Sequence, residues 1–285
     1  MNVFNRYQSA LITLVSWAAL SQPLQALQVR VNPQSAQLGD TISVQIQVNT
    51  PEPPTVQMGN STYPAFPLSP NRFRALVPSS PLDRPGTWSI EVQGDGTSET
   101  VRVQMGDRSF PTQSIWFSES DAAIRGTDYE FDRVDEFKRL VTPQKFWNGP
   151  FLRPNSGYVS TIFGVQRYYN GEFAENYYHR GVDYAAPTGS PVVAPAAGRI
   201  SLVGKEANGF ELHGNTIGLD HGQGILSIFI HLHTIKVQEG EMVKAGQVIG
   251  TVGSTGTSTG PHLHWGLYVN GVAVDPVPWR FEGIE

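Results

Sequence analysis

Glycine and proline interrupt this chain so often that only short elements fit between them. Its 285 residues include 29 glycines and 21 prolines, residue types that favour turns and end helices. The clearest apolar run lies in residues 41–48, where every second residue is apolar: Ile42, Val44, Ile46 and Val48. Alternation with a period of two puts such side chains on one buried face of a strand. The sequence therefore predicts a mainly β protein.

Residues 27–105 are predicted to form a first domain, an immunoglobulin-like β-sandwich. Further short strands are predicted at residues 28–31, 73–77, 88–92 and 100–104. Turn-forming residues separate these runs, as in the segment Asp83-Arg84-Pro85-Gly86. Several short strands at this spacing are typical of a small sandwich.

The pattern changes in residues 106–150, which are predicted to be a connector with one helix. The helix is predicted in residues 130–140, with three apolar residues near one side: Phe131, Val134 and Leu140. Thr127 and Glu130 have the spacing of a capping box at its start. The arginine and aspartate residues of the helix are expected to form a solvated face.

Short apolar runs bounded by glycine return in residues 151–285, which are predicted to be a second domain. Strands are predicted at residues 216–220, 225–231 and 262–269. Residues 192–200 and 240–250 are loosely alike, which suggests two related hairpins. The expected architecture is one compact antiparallel β barrel or sandwich.

The first 26 residues have the pattern of a signal peptide. Arg6 supplies the positive start, residues 11–20 supply the apolar stretch, and cleavage is expected after Ala26. The apolar stretch falls short of the roughly 20 residues that span a bilayer, so an uncleaved anchor is the less favoured alternative. No membrane span is expected in the mature chain, which is predicted to be exported to the periplasm or to the extracellular cell wall.

Composition excludes several other classes of protein. The chain has no cysteine, so it can hold neither a disulfide framework nor a thiolate metal site. Its formal net charge is -5, and no basic face for nucleic acid is expected.

All seven histidines lie in the predicted second domain: His179, His213, His221, His231, His233, His262 and His264. A zinc site without thiolates takes imidazole nitrogen and carboxylate oxygen, and a catalytic zinc keeps three protein ligands. His262 and His264 would share one face of a predicted strand, because side chains alternate along it. His179 and Asp183 would bring a second pair from a loop that enters another strand. These pairs indicate a metal site but do not select its three ligands.

Three segments, in this order, resemble the M23 (lysostaphin-type, LytM-like) metallopeptidases: His179-x-x-x-Asp183, Phe229-Ile230-His231-Leu232 and Gly260-Pro261-His262-Leu263-His264. The resemblance covers roughly residues 151–278, and supporting motifs include Gly253-Ser254-Thr255-Gly256 and Val274-Asp275-Pro276. It departs at Phe229, where the family often has tyrosine. The resemblance implies the M23-type antiparallel fold for residues 151–285.

The same resemblance implies one Zn2+ per peptidase domain, bound by His179, Asp183 and His264. It also implies that His231 and His262 are catalytic groups beside the metal. An imidazole can stabilise the negative charge that forms on the substrate or protonate the leaving amine, and the two residues share these tasks. Which histidine does which is left open.

The implied activity is that of a zinc-dependent endopeptidase that hydrolyses bacterial peptidoglycan peptides, in a cross-link, a stem or a bridge, through a zinc-activated water. The alternative is a non-catalytic wall-binding regulator of another cell-wall hydrolase. Loss of ligands is the usual sign of that role, and here the ligand set is complete. Of the remaining histidines, His213 and His221 are predicted to be structural, and His233 is predicted to lie at the rim of the site.

Overall fold

The structure is a computed structural model that describes residues 27–116 and 125–281. The predicted signal peptide, residues 1–26, lies outside the described residues. Strands dominate the described chain, which confirms the prediction of a mainly β protein. Over the same ranges, no helix combines the length and the apolar character that crossing a bilayer requires.

The first nine strands form two sheets. In chain order they are β1 (Gln28–Asn32), β2 (Ser35–Gln37), β3 (Thr41–Gln47), β4 (Thr55–Met58), β5 (Ser61–Tyr63), β6 (Ala65–Ser69), β7 (Arg72–Pro78), β8 (Gly86–Gly94) and β9 (Thr97–Gly106). One sheet has the order β1-β3-β7-β6 and the other β2-β9-β8-β4-β5. The five strands that the sequence predicted are β1, β3, β7, β8 and β9.

The two sheets enclose one hydrophobic core. The alternating residues that were predicted to be buried are all 2% exposed or less: Ile42, Val44, Ile46 and Val48. They pack with Ile90 and Val103 of the second sheet. The apolar residues that alternate in the sequence therefore form the contact between the two sheets. The immunoglobulin-like character of this sandwich stays a prediction.

The outer face of the first sheet is covered by the C-terminal part of the chain. Arg74 of β7 is 1% exposed, and its Nη2 atom donates a hydrogen bond to Oε1 of Gln223 over 2.7 Å. Its guanidinium also lies over the ring of Trp147, 5.2 Å from the ring centre. The side-chain amide of Asn270 donates to the carbonyl of Leu76 over 2.8 Å. β7 is therefore buried on both faces.

One α-helix, α1 (Asp128–Lys138), lies in the described part of the connector. Thr127 is its N-cap and accepts a hydrogen bond from the Glu130 N–H over 3.1 Å, as the capping box predicts. The predicted apolar face is wrong in part, because Phe131 is 41% exposed. The buried residues are Glu130, Val134 and Phe137, which follow the i, i+4, i+7 spacing of a helix. The Glu130 carboxylate thus points into the protein, where it accepts hydrogen bonds from the N–H groups of Leu212 and His213.

The C-terminal strands form a large antiparallel sheet. They are β11 (Tyr158–Thr161), β14 (Val182–Ala185), β15 (Pro191–Val193), β16 (Gly198–Gly204), β17 (Asn215–Gly222), β18 (Ile225–Ile235), β19 (Met242–Val243), β20 (Val248–Val252), β21 (His262–Val269) and β22 (Val272–Val274). The central order is β11-β14-β21-β18-β17-β16-β19, with β20 on β15 and β18, and β22 on β21. The prediction of two related hairpins is wrong, because the two similar segments pair with each other. β15 pairs with β20 and β16 pairs with β19.

A small fourth sheet stands beside this one. It consists of β10 (Thr112–Ile115), β12 (Gln166–Tyr169) and β13 (Glu172–Phe173). β10 follows the sandwich in the chain and runs parallel to β12. The connector therefore contributes a strand next to the C-terminal sheet.

Candidate metal centre

The strand ladder between β14 and β21 brings two polar residues together. Asp183 lies directly opposite His264 in this antiparallel pair. His262 and His264 are two residues apart on β21 and line the same cleft, as period-two alternation predicts. Asp183, His262 and His264 therefore line the cleft, and the sheet fixes their positions.

His179 lies just before β14 and is held by backbone hydrogen bonds on both sides. Its N–H donates to the carbonyl of Val165 over 2.8 Å, and its carbonyl accepts from the N–H of Gly164 over 2.9 Å. Nδ1 of its ring lies 2.8 Å from the carbonyl of Ile162. A carbonyl can only accept, so Nδ1 carries the proton and Nε2 offers a lone pair to the cleft.

Three potential metal-ligating atoms converge in this cleft. Nε2 of His179 is 3.0 Å from Oδ1 of Asp183 and 3.0 Å from Nδ1 of His264, and the last two atoms are 2.9 Å apart. A tetrahedral zinc with ligands at about 2.0 Å would place its ligand atoms about 3.3 Å from one another. Two imidazoles and one carboxylate at these separations fit the donor set of a catalytic zinc.

The protonation states suit a metal ion. Burial raises the pKa of Asp183, but His179 and His264 outweigh it and hold this pKa well below the ordinary value. Burial lowers the pKa of His264 to about 4, against the opposing effect of Asp183. The site therefore holds a carboxylate and neutral imidazole at neutral pH, which are the forms that bind metals.

Gly181 allows the close approach of β14 and β21 beside these ligands. A Cβ atom at this position would lie 2.3 Å from the carbonyl oxygen of Trp265 and 2.8 Å from Nε2 of His264. The first contact is with backbone, which cannot move aside without disturbing the ladder. Only glycine fits between His179 and Asp183 at this point.

His231 reaches the cleft because β18 contains a bulge. The ladder between β17 and β18 shifts register between Asn215 and Ile217, where β18 has one residue more than its partner. His231 has a φ of 61°, in the left-handed region that such residues rarely occupy. Ile230 and His231 consequently both line the cleft, which regular alternation would not allow.

The rings of His231 and His262 lie side by side, with centres 4.9 Å apart. Nδ1 of His231 is 2.8 Å from the carbonyl of Thr255, and Nδ1 of His262 is 2.8 Å from the carbonyl of Gly260. Each carbonyl fixes the proton on Nδ1 and leaves Nε2 as the second functional nitrogen. Nε2 of His262 lies 3.9 Å from Oδ1 of Asp183, so it faces the ligand cluster.

The surroundings of His231 favour its neutral form. Burial, helped by the neighbouring His262 and His264, holds the pKa of His231 well below its ordinary value. A neutral imidazole can accept a proton from a water molecule or hold a hydrogen bond to it. The pair thus sets two potential proton-transfer groups next to the cluster of ligating atoms.

The cleft has a volume of about 740 Å³. Besides the predicted residues, its walls contain Gln113 of β10 and Arg167 and Tyr169 of β12. Nη2 of Arg167 lies 3.8 Å from Oδ2 of Asp183, the oxygen that is not shared with the histidines. Sequence reasoning missed these residues, because nothing in their local pattern indicates that the connector strand packs beside the cleft.

The three histidines without a predicted site role lie in three different settings. His221 is fully buried, with Nδ1 2.9 Å from the carbonyl of Ala197 and Nε2 2.9 Å from Oγ of Ser227, in agreement with a structural role. His233 is exposed and lies outside the cleft lining. His213 differs from the prediction, because it lines the cleft beside His231.

Comparison with known proteins matches this site to one family. Residues 177–276 match peptidase family M23. The DD-carboxypeptidase/endopeptidase Mpg of Neisseria meningitidis is 46% identical over 99 residues, which are 35% of this chain and 22% of that protein. Lysostaphin of Staphylococcus staphylolyticus is 42% identical over 106 residues, again 35% of this chain and 22% of that protein. The chain thus spans about a fifth of the length of these relatives.

A solved structure extends the similarity beyond the matched segment. A Pseudomonas aeruginosa protein assigned to peptidase M23 superposes with a TM-score of 0.62 at 28% identity, over 85% of this chain and 93% of that chain. This coverage exceeds the C-terminal sheet, so the overall arrangement of strands is shared as well. The chain therefore contains a peptidase family M23 domain.

Proposed function

We propose that the chain is a zinc-dependent endopeptidase that hydrolyses peptide bonds in bacterial peptidoglycan. The observation that carries this proposal is the convergence of His179, Asp183 and His264 in a cleft that also holds the paired imidazoles of His231 and His262. Two neutral imidazoles and a carboxylate suit zinc, and the paired imidazoles suit proton transfer during amide hydrolysis. The roles of all five residues belong to the proposal.

His179, Asp183 and His264 would hold the zinc ion, which when bound would supply Lewis-acid chemistry for amide hydrolysis. Asp183 and the two ligating histidines hold their donor atoms in place before the substrate arrives, which avoids reorganisation during the reaction. His231 and His262 keep Nδ1 bound to backbone carbonyls and use Nε2 toward the substrate. The neutral ring accepts the proton of the attacking water, and the protonated ring returns it to the leaving amine.

The substrate is proposed from the relatives. Mpg is named a DD-carboxypeptidase/endopeptidase, and ShyC of Vibrio cholerae, 41% identical over 98 residues, is named a peptidoglycan DD-endopeptidase. The cleft is open and has a volume of about 740 Å³, so a branched peptide fits in it. We therefore propose a cross-link, stem or bridge peptide of peptidoglycan as the substrate.

The test uses the purified protein and purified peptidoglycan, with products identified by mass spectrometry. We expect release of peptide fragments that a chelator abolishes and stoichiometric zinc restores. His179→Ala and His264→Ala should be inactive and zinc-free, whereas His233→Ala, which changes an exposed histidine outside the cleft, should retain activity. Full activity in either ligand variant would contradict the proposal.

Metal analysis separates the enzyme from the wall-binding regulator. An enzyme with this site should purify with about one zinc per chain and show turnover. A protein that binds peptidoglycan, holds no zinc and releases no fragments would instead be a regulator of another hydrolase. Fragment mass also identifies which bond is cut.

Export across the inner membrane is part of the proposal, because peptidoglycan lies outside it. The sequence pattern of residues 1–26 motivates this part. Expression in a bacterial host followed by intact mass measurement of the exported protein should give a chain that begins at Leu27. A mature protein that keeps its first 26 residues would favour the anchored alternative.

A further inference from the structure

The side chain of Glu130 joins the connector helix α1 to a short segment of the C-terminal domain, residues 212–214. Glu130 is 0% exposed. Its Oε2 accepts a hydrogen bond from the N–H of Leu212 over 3.0 Å, and its Oε1 accepts from the N–H of His213 over 2.6 Å. Oε1 also lies 2.6 Å from Nδ1 of the His213 ring. One carboxylate thus binds two consecutive backbone N–H groups of this segment and one of its side chains.

These contacts keep Glu130 ionised. Burial raises its pKa, but the side chain and N–H of His213 and the N–H of Leu212 outweigh burial, and the pKa of Glu130 is lowered. Hydrogen bonds to an ionised acceptor are stronger than those between neutral groups. A side-chain amide could not replace the carboxylate, because in either orientation its NH2 group would face an N–H group.

The helix that carries Glu130 is itself fixed on the C-terminal domain. Val134 and Phe137 of α1 belong to the hydrophobic core of that domain. At the start of the helix, Oγ1 of Thr127 donates a hydrogen bond to the carbonyl of Gly209 over 2.7 Å. Glu130 is therefore presented to residues 212–214 by a rigid support.

Residues 212–214 hold the backbone of His231. The carbonyl of His213 accepts a hydrogen bond from the N–H of His231 over 3.0 Å. His231 has a φ of 61°, and a residue other than glycine stays in this left-handed region only when its surroundings fix it there. Because φ is the rotation about the N–Cα bond, a hydrogen bond that fixes the N–H group restrains this angle.

The same segment supports the residues that hold the His231 ring. Nδ1 of His231 is bound to the carbonyl of Thr255 over 2.8 Å. Two residues further on, the N–H of Thr257 donates to the carbonyl of Leu212 over 2.9 Å. Gly214 allows this close approach, since a Cβ atom there would lie 2.4 Å from the carbonyl carbon of Thr255. Both the backbone and the ring of His231 are therefore connected to residues 212–214.

We propose that Glu130 is a positioning residue that holds His231 in its catalytic conformation through residues 212–214. The inference rests on the proposed peptidase function, because it assumes that His231 takes part in catalysis. The M23 match covers residues 177–276, so it includes His231 but not Glu130. The connector helix thus supplies a contact on which the peptidase site depends.

The proposed zinc ligands are held by other contacts. Asp183 and His264 face each other in the ladder between β14 and β21, and His179 is held by hydrogen bonds of its own backbone. These contacts do not pass through residues 212–214. Loss of the Glu130 carboxylate should therefore lower kcat and leave the zinc content and KM near their wild-type values.

The experiment measures zinc content and the hydrolysis of a soluble, synthetic cross-linked peptide by Glu130→Gln. We expect kcat to fall by about 10- to 100-fold, the effect of a catalytic group that is misplaced by about 1 Å. In the His231→Asn background the same substitution should change kcat by less than about 2-fold, because the group that Glu130 positions is already missing. Glu136→Gln, at an exposed site on the same helix, is the matched control and should keep the wild-type kcat.

Hydrogen exchange of backbone amides, followed by mass spectrometry, gives a readout that does not depend on activity. In Glu130→Gln, exchange should become faster at residues 212–214 and at His231, and it should stay at the wild-type rate in residues 262–269 of β21. Glu130→Asp is the second variant if Glu130→Gln is too unstable to study. It keeps the charge but withdraws the carboxylate by one methylene group, so the same changes are expected.

Three outcomes would overturn the inference. They are an unchanged kcat and exchange rate in a folded Glu130 variant, an equal loss of kcat in the wild-type and His231→Asn backgrounds, and failure of both Glu130 variants to fold, which would show a general structural role. A wild-type protein without hydrolytic activity would overturn the peptidase proposal instead. Faster exchange at His231 in Glu130→Gln would then still establish the structural link between these two residues.

Discussion

Oδ1 of Asp183 lies 2.9 Å from Nδ1 of His264 because the two residues are directly opposite each other in the ladder between β14 and β21. Backbone hydrogen bonds between strands fix this separation, so two of the three proposed ligands are placed by the sheet. Only His179 comes from outside a strand, and its N–H and carbonyl are both bound to neighbouring backbone. The cluster is thus preorganised.

Asp183→Asn should abolish tight zinc binding. The amide has the shape of the carboxylate but lacks its charge, so we expect zinc affinity to fall by at least about 100-fold. Metal analysis after dialysis should find about one zinc in the wild type and almost none in the variant. Added zinc should raise the Tm of the wild type only. Asp135→Asn, at an exposed site on α1, is the control, and full zinc retention in Asp183→Asn would refute the ligand assignment.

His231→Asn should separate catalysis from folding. Asparagine tolerates a positive φ better than most residues, so it fits the bulge, but it cannot transfer a proton near neutral pH. We expect kcat on peptidoglycan to fall by about 100- to 10,000-fold while zinc content stays at the wild-type level. A variant with normal zinc and normal kcat would show that His231 has no catalytic part.

The buried His221 should make stability depend on pH. Its ring bridges the carbonyl of Ala197 and Oγ of Ser227, and that Oγ also accepts from Nε1 of Trp265 over 3.1 Å. Burial lowers the pKa of His221 to about 4, so the folded state keeps the ring neutral. Below pH 6.5 the His221 ring binds a proton in the unfolded chain but stays neutral in the folded chain. Stability should therefore fall as the pH drops from about 6.5 to about 4, by on the order of 3 kcal/mol.

His221→Asn is the corresponding test, because an amide does not titrate in this range. Urea unfolding at several pH values between 4 and 7 should give a smaller loss of stability for the variant than for the wild type. The quantity to compare is the change in the free energy of unfolding with pH. The absolute stability is not compared, because the variant also loses packing and hydrogen bonds at every pH. Equal slopes would mean that His221 is protonated in the folded protein or is not buried.

Arg74→Ala should weaken the contact between the sandwich and the peptidase domain. The change removes the hydrogen bond to Gln223 and the stacking on Trp147, and it leaves a buried gap. We expect the free energy of unfolding to fall by about 2–4 kcal/mol. Urea unfolding followed by tryptophan fluorescence measures this loss. Arg102→Ala, at an exposed site on β9, should change stability by less than about 0.5 kcal/mol, and an equal effect of both changes would contradict the interface.

Side-chain alternation made part of this structure predictable. The buried face of β3 and the shared face of His262 and His264 both follow from a period of two. The resemblance then selected two of the seven histidines, His179 and His264, together with Asp183 as the metal ligands. These features depend on short stretches of sequence, which is why they could be recognised without a structure.

Other features depend on distant parts of the chain. α1 buries Glu130 because Leu212 and His213 supply hydrogen bonds to it, and no local pattern contains that information. Arg74 lies in an alternating strand, where a charged residue indicates a solvated face, but the peptidase domain covers that face. Residues 192–200 and 240–250 pair with each other. The prediction of two hairpins missed this pairing because a hairpin joins only strands that are neighbours in sequence.

The bulge at His231 makes the site sensitive to chain length as well as to residue identity. Deleting a single residue from this part of β18 would remove the bulge and restore strict alternation, so Ile230 and His231 would no longer both line the cleft. His231 would then lose the left-handed backbone conformation that places its ring beside His262, without being mutated. A related chain with a one-residue gap here would keep both histidines in an alignment and still lack the paired arrangement of their rings.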